Sequence, residues 1–364
     1  MSARDERFMS LALMLGRRGQ GRTWPNPAVG CVIVKDGRIV GRGRTADGGR
    51  PHAETQALKQ AGESAQGATA YVSLEPCAHH GQTPPCAEAL VTAGIARVVA
   101  PLADSDPRVA GQGFAFLQNA GVDVTTGVLA DEAAGDLDGF FMRTEHGRPH
   151  LTLKLASSFD GRIATATGQS QWITGPSARR HVHSLRARHD AVMVGAGTAR
   201  ADDPSLTVRD LGIMQQPVRV VVSRRLDLPM MSKLARSAKI APLWLCHGPD
   251  ADPALIEAWQ GIGATLISCD LTGRQLDVRS VLRQLGAKGL TRVFCEGGSG
   301  LAASILSADL VDELVGYTAG MTIGAEGLPA IGALGLSNLG DAPRFKLAES
   351  RLIGVDILHR WVRV

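Results

Sequence analysis

The stretch AVGCVIVKDGRIVGRG, residues 28–43, holds two apolar runs around a Lys-Asp-Gly turn. Apolar strands joined by so short a polar turn predict a β-hairpin. Downstream the period changes. Residues 52–61 read as a helix, 68–76 (ATAYVSLEP) as a strand, 85–93 as a helix, 97–102 as a buried strand and 111–120 as a helix. A strand near 122–128 and a helix near 131–145 follow, so this half is an α/β sandwich. The upstream MSLALMLG is short, follows acidic residues and lacks a small-residue cleavage pattern, so it is expected to be helix rather than signal peptide.

The composition EHGRPH near residue 147 reads as a linker, and a chain of 364 residues is too long for one ordinary core. Two domains are expected, 1–146 and 147–364. The second half restarts with HLTLKLASS, then a helix over 176–188, then DAVMVGAGT, PVRVVVS, APLWLCHG, ATLISC and TRVFCEGG as apolar strands. Helical segments at 252–261 and 277–286 separate the later strands. Strands alternating with helices predict a largely parallel sheet. The end of the chain, FKLAESRLIGVDILHRWVRV, reads as two strands around a Gly turn.

Hydrophobic residues at 44% and charged residues at 20% describe an ordinary globular chain, and no 18-residue apolar run could cross a bilayer. The expected address is the cytoplasm, with no membrane role. A net charge of +4 and only 4% aromatics argue against nucleic acid and favour a small phosphorylated ligand. In a reducing compartment the six cysteines are free thiols or metal ligands.

His52 and Glu54 stand at a helix start, Cys77 follows Pro76 at a strand end, and Cys86 opens a helix after Pro84 and Pro85. One imidazole and two thiolates make a three-ligand zinc set whose fourth position is left for water. Zinc lowers the pKa of such a water to roughly 7, and Glu54, two residues from a ligand, is free to carry its proton to a leaving amine. Taken singly, each residue also has a plain reading: a first-turn glutamate, a capping histidine, buried thiols. Together and in this order they match the H-x-E and P-C-x-x-C pattern of zinc deaminases, except that eight residues, AHHGQTPP, separate the cysteines. In the second half, GGSG at 297–300 between a strand and the helical LAASIL reads either as a phosphate cradle or as a plain strand-to-helix turn.

PNPAVG at 25–30, HAE at 52–54 and EPCAHHGQTPPC at 75–86 resemble the bifunctional deaminase/reductase family of bacterial riboflavin biosynthesis. KLASSFDGRIATATGQSQWITG, GAGTARADDPSLTVR and FCEGGSGLAASIL extend the resemblance over residues 150–364, so it covers essentially the whole chain. It implies a cytidine-deaminase-like three-layer α/β/α domain followed by a dihydrofolate-reductase-like α/β domain. The implied cofactors are one Zn²⁺ per chain and NADPH. The first implied reaction replaces the C2 amine of 2,5-diamino-6-ribosylamino-4(3H)-pyrimidinone 5′-phosphate through zinc-bound hydroxide. In the second, hydride from NADPH reduces the ribosyl group at C1′, giving 5-amino-6-ribitylamino-uracil 5′-phosphate.

The resemblance also implies roles residue by residue. Asn26 contacts the pyrimidine, unless it only shapes the turn between two prolines, and His79 lies near the substrate unless it is a solvated loop residue. ADSDPRVAG at 103–111 approaches the ribose phosphate, with Asp106 where asparagine is common, and Thr45 stands where many members have histidine. NADPH contacts fall on Ala156, Trp172, Thr198, Asp202 and the run Gly298, Ser299, Gly300, Leu301, Ala302, Ala303 and Ser304. Substrate contacts fall on Ser170, Arg186, Leu206, Arg209 and Glu296. Arg186 and Arg209 suit a sugar phosphate or else are solvated helix or loop charges, Trp172 offers a flat face to a cofactor ring, and Glu296 accepts from ribose hydroxyls or else is a capping carboxylate. Arg224, at the end of the VRVVVS strand, is expected to meet the 2′-phosphate of NADPH.

Two rivals remain at this point. One is a nucleoside or tRNA deaminase with an accessory substrate-binding domain, disfavoured by the long cysteine spacer and the few aromatics. The other is a nonenzymatic zinc module, disfavoured by the open ligand set. A homo-oligomer is expected from the exposed strand edges of a reductase domain of this type.

Overall fold

A computed structural model describes residues 2–79, 84–106 and 109–364. Two compact units divide the chain, Met1–Gly147 and Arg148–Val364.

The first unit is built on the predicted hairpin. β1 (Gly30–Lys35) and β2 (Arg38–Arg44) are antiparallel and turn at Asp36 and Gly37, whose φ angles of 49° and 77° match the twist of a two-residue hairpin loop. With β3 (Thr69–Val72), β4 (Arg97–Ala100) and β5 (Asp123–Thr126) they form one sheet in the order β2-β1-β3-β4-β5. β1 runs antiparallel to β3, whereas β3, β4 and β5 are parallel.

Because side chains alternate along a strand, each strand feeds two cores. Cys31, Ile33, Ala70, Val72 and Val98 pack with Ala53, Ala57 and Ala61 of α2 (Ala53–Ala61) and Leu90 of α3 (Cys86–Thr92). Val32, Val34, Tyr71 and Val99 face Phe8, Met9, Ala12 and Leu13 of α1 (Ala3–Arg17). Helices on both faces make the expected three-layer sandwich, completed by α4 (Gln112–Asn119) and α5 (Ala130–His146). α2 lies against β2 at backbone distance. A Cβ on Gly41 or Gly43 would stand 2.2 or 2.1 Å from the carbonyl oxygens of Ala57 and Ala53, so only glycine permits this seat. That contact fixes the helix start that carries His52 and Glu54.

The second unit holds a nine-stranded sheet. From one edge the order is Thr265–Ser268, Leu243–His247, Val218–Val222, Ala191–Gly195, Arg292–Cys295, His150–Ser158, Glu313–Ala319, Asp356–Arg363 and Phe345–Ile353. The first seven are parallel, and the terminal hairpin pairs antiparallel onto Glu313–Ala319. Consecutive residues such as Val192, Met193 and Val194, Val220 and Val221, and Leu245 and Cys246 are buried, as strands covered on both faces require. Helices Pro176–Arg186, Ala196–Asp202, Pro253–Gly261, Val278–Ala287 and Ser299–Ser307 lie between strands in sequence. The strand reading of DAVMVGAGT needs correction after Gly195: with Gly195 as its cap, the chain turns helical at Ala196.

Candidate active sites

In the first unit three elements bring the metal-type side chains together. His52 is the N-cap residue of α2, Cys77 follows β3 by way of Pro76, and Cys86 is the first residue of α3, just after Pro85. Pro85, the N-cap residue, holds the chain at φ −58° just before α3 begins. The Nδ1 of His52 lies 3.7 Å from the Sγ of Cys77 and 3.4 Å from the Sγ of Cys86. Zn–S bonds of about 2.3 Å and Zn–N bonds of about 2.0–2.1 Å at a tetrahedral angle require S···N separations of about 3.6 Å. The two observed distances bracket that value, so the group fits zinc, and all three ligand atoms lie within 4.8 Å of one another.

The electrostatics favour a thiolate at Cys77, whereas the Cys86 thiol is pushed up by its hydrogen bond to Cys77 and by burial. The Cys86 amide donates to Cys77 Sγ at 3.4 Å, and the Cys77 thiol is held down at about 4, first by hydrogen bonding from Cys86 and then, against its burial, by His52. His52 is raised in return, chiefly by its contact with Cys77. Glu54 is 4% exposed. Burial, then the negative charge on Cys77, pushes its carboxyl above the usual carboxylate range.

Around this centre, Asn26 donates Nδ2–H to the carbonyl of Gly49 at 2.8 Å, in the loop that leads to His52. His79 is exposed. Thr45 is buried and spent on the backbone, accepting from the Val29 amide and donating to the Pro27 carbonyl, both at 3.0 Å. Residues 80–83 of the cysteine spacer and 107–108 of the acidic loop lie outside the described residues. Sequence reasoning passed over Glu75. Its buried carboxylate accepts the amides of Asp104 (3.0 Å), Gly111 (2.9 Å), Gly113 (2.8 Å) and Phe114 (3.2 Å), tying that loop to the segment between β3 and Cys77.

In the second unit a cleft of about 1030 Å³, at the upper end of ligand-site volumes, opens beside the carboxyl ends of the parallel strands. Ala156, Thr198, Asp202, Gly298, Ser299 and Gly300 line it, and so do Leu301, Ser304, Ser170, Arg224 and Glu296. The first intrahelical bond beyond the glycines runs from the Ala302 amide to the Gly298 carbonyl at 3.0 Å. The amides of Ser299, Gly300 and Leu301 are therefore available to an anion. Gly298 has φ 91°, and a Cβ there would stand 2.7 Å from Thr198 Oγ1, so the close approach that makes the cradle needs glycine. This cradle fits a dinucleotide phosphate.

Several expected contacts are placed differently. Arg186 and Glu296, expected to grip phosphate and ribose separately, grip each other. Besides a very short contact through Arg186 Nε, Arg186 Nη2 donates to Glu296 Oε2 at 2.9 Å, and Nη1 donates to the Thr207 carbonyl at 2.8 Å. Both side chains are nearly buried, and a buried charge needs its opposite close by. The Leu206 side chain is 2% exposed and belongs to the core with Val221 and Leu226. Ala302 and Ala303 are buried on the inner face of their helix. Trp172 is 65% exposed and does not line the cleft; its ring instead lies 4.5 Å from the Arg179 guanidinium carbon, a cation–π contact. Arg209 is exposed, with its amide donating to His183 Nδ1 at 3.2 Å. Arg224 lines the cleft, but its guanidinium is bound to Asp250, with Nη2 and Oδ2 2.6 Å apart. The contact expected of it with the 2′-phosphate of NADPH would share the guanidinium with that ion pair.

Lys154 was missed. It lines the cleft from the middle of its strand, and burial lowers the pKa of its amine while Glu296 and Asp202 oppose that shift. The one signal in the sequence was a lysine inside the apolar LTLKLA.

Comparison with known proteins places both units in one family. A profile for the cytidine and deoxycytidylate deaminase zinc-binding region matches residues 2–102, and one for the RibD C-terminal domain matches residues 149–359. The riboflavin biosynthesis protein RibD of Escherichia coli (strain K12) is 43% identical over 368 residues, covering 98% of each chain. That of Bacillus amyloliquefaciens is 39% identical over 356 residues, 97% of this chain and 95% of the relative. Among solved structures, Acinetobacter baumannii RibD (form 2) superimposes with a TM-score of 0.87 at 38% identity, over 99% of each chain. A diaminohydroxyphosphoribosylaminopyrimidine deaminase/5-amino-6-(5-phosphoribosylamino)uracil reductase from Thermotoga maritima does so with a TM-score of 0.86 at 34% identity, again over 99% of each.

Proposed function

The chain belongs to the RibD family of bifunctional riboflavin-biosynthesis enzymes, and from that premise we propose which substrate it takes and which of its residues act. It is a deaminase and a reductase, with a zinc-binding deaminase region and an NADPH-dependent reductase domain. We assign the deaminase to residues 1–146 and the reductase to 147–364. The proposed substrate is the phosphorylated 2,5-diaminopyrimidine nucleotide, deaminated first and reduced at the ribosyl carbon second.

The observation that carries the first half is the spacing of His52, Cys77 and Cys86, which offers three ligands and no fourth among the described residues. When bound there, zinc supplies a water acidified to a pKa of roughly 7. His52 and the two thiolates hold the metal. Glu54, buried and two residues from a ligand, would hold and pass the proton that reaches the departing amine, and Asn26 would orient the pyrimidine. His79, exposed and two residues after Cys77, is assigned to the substrate's surroundings.

In the second half NADPH supplies the hydride. The amides of Ser299, Gly300 and Leu301 hold its phosphates, and Thr198 and Asp202 flank them. Ser170 and Arg209 bind the substrate. Arg186 keeps Glu296 ionised and oriented, and Lys154 carries the proton that accompanies reduction. Arg186 thus acts through Glu296.

Purified protein given the diaminopyrimidine nucleotide is expected to release ammonia without NADPH, then to consume NADPH as the aminouracil accumulates. Glu54→Gln stops the first signal and leaves the second intact when the aminouracil is supplied. Deamination of cytidine or tRNA in place of this nucleotide would overturn the reading in favour of a nucleoside or tRNA deaminase. No helix among the described residues is long and apolar enough to cross a membrane. We place the enzyme in the cytoplasm. We also propose a homo-oligomer, because the terminal hairpin at the edge of the large sheet exposes Leu352 (76%), Val355 (82%) and Ile357 (46%). Light scattering on the eluted protein tests that.

A further inference from the structure

Arg200, Arg224, Arg225 and Arg274 all line one end of the reductase cleft. Two of the four are already committed. Arg200 Nη1 donates to Asp227 at 2.8 Å, and Arg224 places its Nε and Nη2 on Asp250 and its Nη1 on the Arg274 carbonyl at 2.7 Å. Arg225 and Arg274 are exposed, and neither guanidinium makes a hydrogen bond or a close ion pair among the described residues. Arg225 is near enough to Asp250 to act on it through space. Once Asp227 and Asp250 are neutralised by their partners, two positive charges remain at this end.

Their place along the cleft says what they face. The strands His150–Ser158, Arg292–Cys295, Ala191–Gly195 and Val218–Val222 are adjacent in that order. Three inter-strand steps of about 4.8 Å separate Ala156 from Val222 by roughly 14 Å, with the Gly298 cradle between them. A dinucleotide whose reactive ring sits at Ala156 and whose pyrophosphate sits on the cradle carries its adenosine to Val222, where Leu276 and Val278 supply apolar lining. The residues directly after that strand are Ser223, Arg224 and Arg225. In sheets of this kind a carboxylate at such a strand end recognises a free ribose 2′-hydroxyl, and an arginine accommodates a 2′-phosphate.

Resting on the NADPH-dependent reductase reading, we propose that Arg225 and Arg274 form the clamp that selects the 2′-phosphorylated dinucleotide. Arg224 is a positioning residue. It holds the backbone of Arg274 at the rim and occupies Asp250, which would otherwise repel the phosphate. Two guanidiniums offer the planar donor pairs that a phosphate dianion accepts, whereas an unphosphorylated ribose leaves them with solvent.

Isothermal titration of the full-length chain with adenosine 2′,5′-bisphosphate, 5′-AMP, NADPH and NADH tests this without turnover. Wild type should bind the bisphosphate more tightly than AMP. Arg225→Ala and Arg274→Ala should each weaken the bisphosphate and NADPH by about tenfold or more, the loss of a charged hydrogen-bond partner, and leave AMP and NADH unchanged. Because both side chains are exposed, circular dichroism should match wild type. Equal losses for AMP and the bisphosphate, or no loss for either, overturn the clamp while wild-type NADPH binding leaves the reductase reading standing. Failure of wild type to bind NADPH at all overturns both.

Discussion

Asp312 and Arg148, 164 residues apart in sequence, meet through two hydrogen bonds: Nη1 to Oδ2 at 2.7 Å and Nη2 to Oδ1 at 2.8 Å. Oδ2 also accepts the Leu151 amide at 2.8 Å, so one carboxylate ties the first residues of the second unit to the strand Glu313–Ala319. Burial would raise the Asp312 carboxyl, but the Arg148 hydrogen bonds and nearby positive charge outweigh it, and the net shift is downward. Arg148→Ala leaves a buried carboxylate without its cation and is expected to cost about 3–5 kcal/mol in urea unfolding of the second unit. An acid held below its unfolded pKa stabilises the fold above that pKa, and the contribution is lost as pH falls through the lower folded value. The stability gap between wild type and Arg148→Ala should therefore be full at pH 7 and narrow progressively below about pH 4. A gap that widens in acid would contradict this assignment.

The zinc set predicts a clean separation of the two activities. Cys86→Ser, or dialysis against a chelator, should remove the bound metal and depress ammonia release by at least about 100-fold. NADPH oxidation on supplied aminouracil should stay within about twofold, since no ligand of the cleft is touched. Elemental analysis should find one zinc per wild-type chain and essentially none in the variant.

Glu75→Gln replaces one of two oxygens that each accept two backbone amides with an NH₂ group. Two amide donors then face a donor, at about 1–3 kcal/mol for each unsatisfied group. Hydrogen exchange over 104–114 should accelerate and the first unit should melt earlier, while NADPH affinity is unchanged. Unaltered exchange would show that the carboxylate does not hold the loop.

Gly298→Ala forces a side chain into φ 91° and against Thr198 Oγ1. A backbone in that region costs on the order of 1–3 kcal/mol, and relief requires the cradle to open. The expected result is weaker NADPH binding, by about tenfold or more, with ammonia release unaffected.

These sites were not equally legible in the sequence. The hairpin at 28–43 and the helix starts at His52 and Cys86 announce themselves because turn chemistry and helix entry are local, and the ligands of the zinc set sit on those starts. The strand Glu313–Ala319 went unread, with Gly316 interrupting its apolar run and Glu313 and Thr318 giving it polar ends; what makes it a strand is its pairing with His150–Ser158 and Asp356–Arg363. The Arg186–Glu296 pair spans 110 residues, so each looked free for substrate. The Arg224–Asp250 pair was hidden for a similar reason: Asp250 comes from beyond the next strand. Lys154 was hidden because an alternating strand gives no sign of which of its faces borders a cleft.

His52 and Cys86 are separated by 34 residues and begin two different helices. An ion bound by both closes that length of chain, a constraint of about 3 kcal/mol in chain entropy by the logarithmic loop-closure law. A metal held there would therefore also be a cross-link between α2 and α3, which pack side by side on one face of the sheet. A chain synthesised without it would start folding from a larger ensemble, and the deaminase half would carry that burden alone.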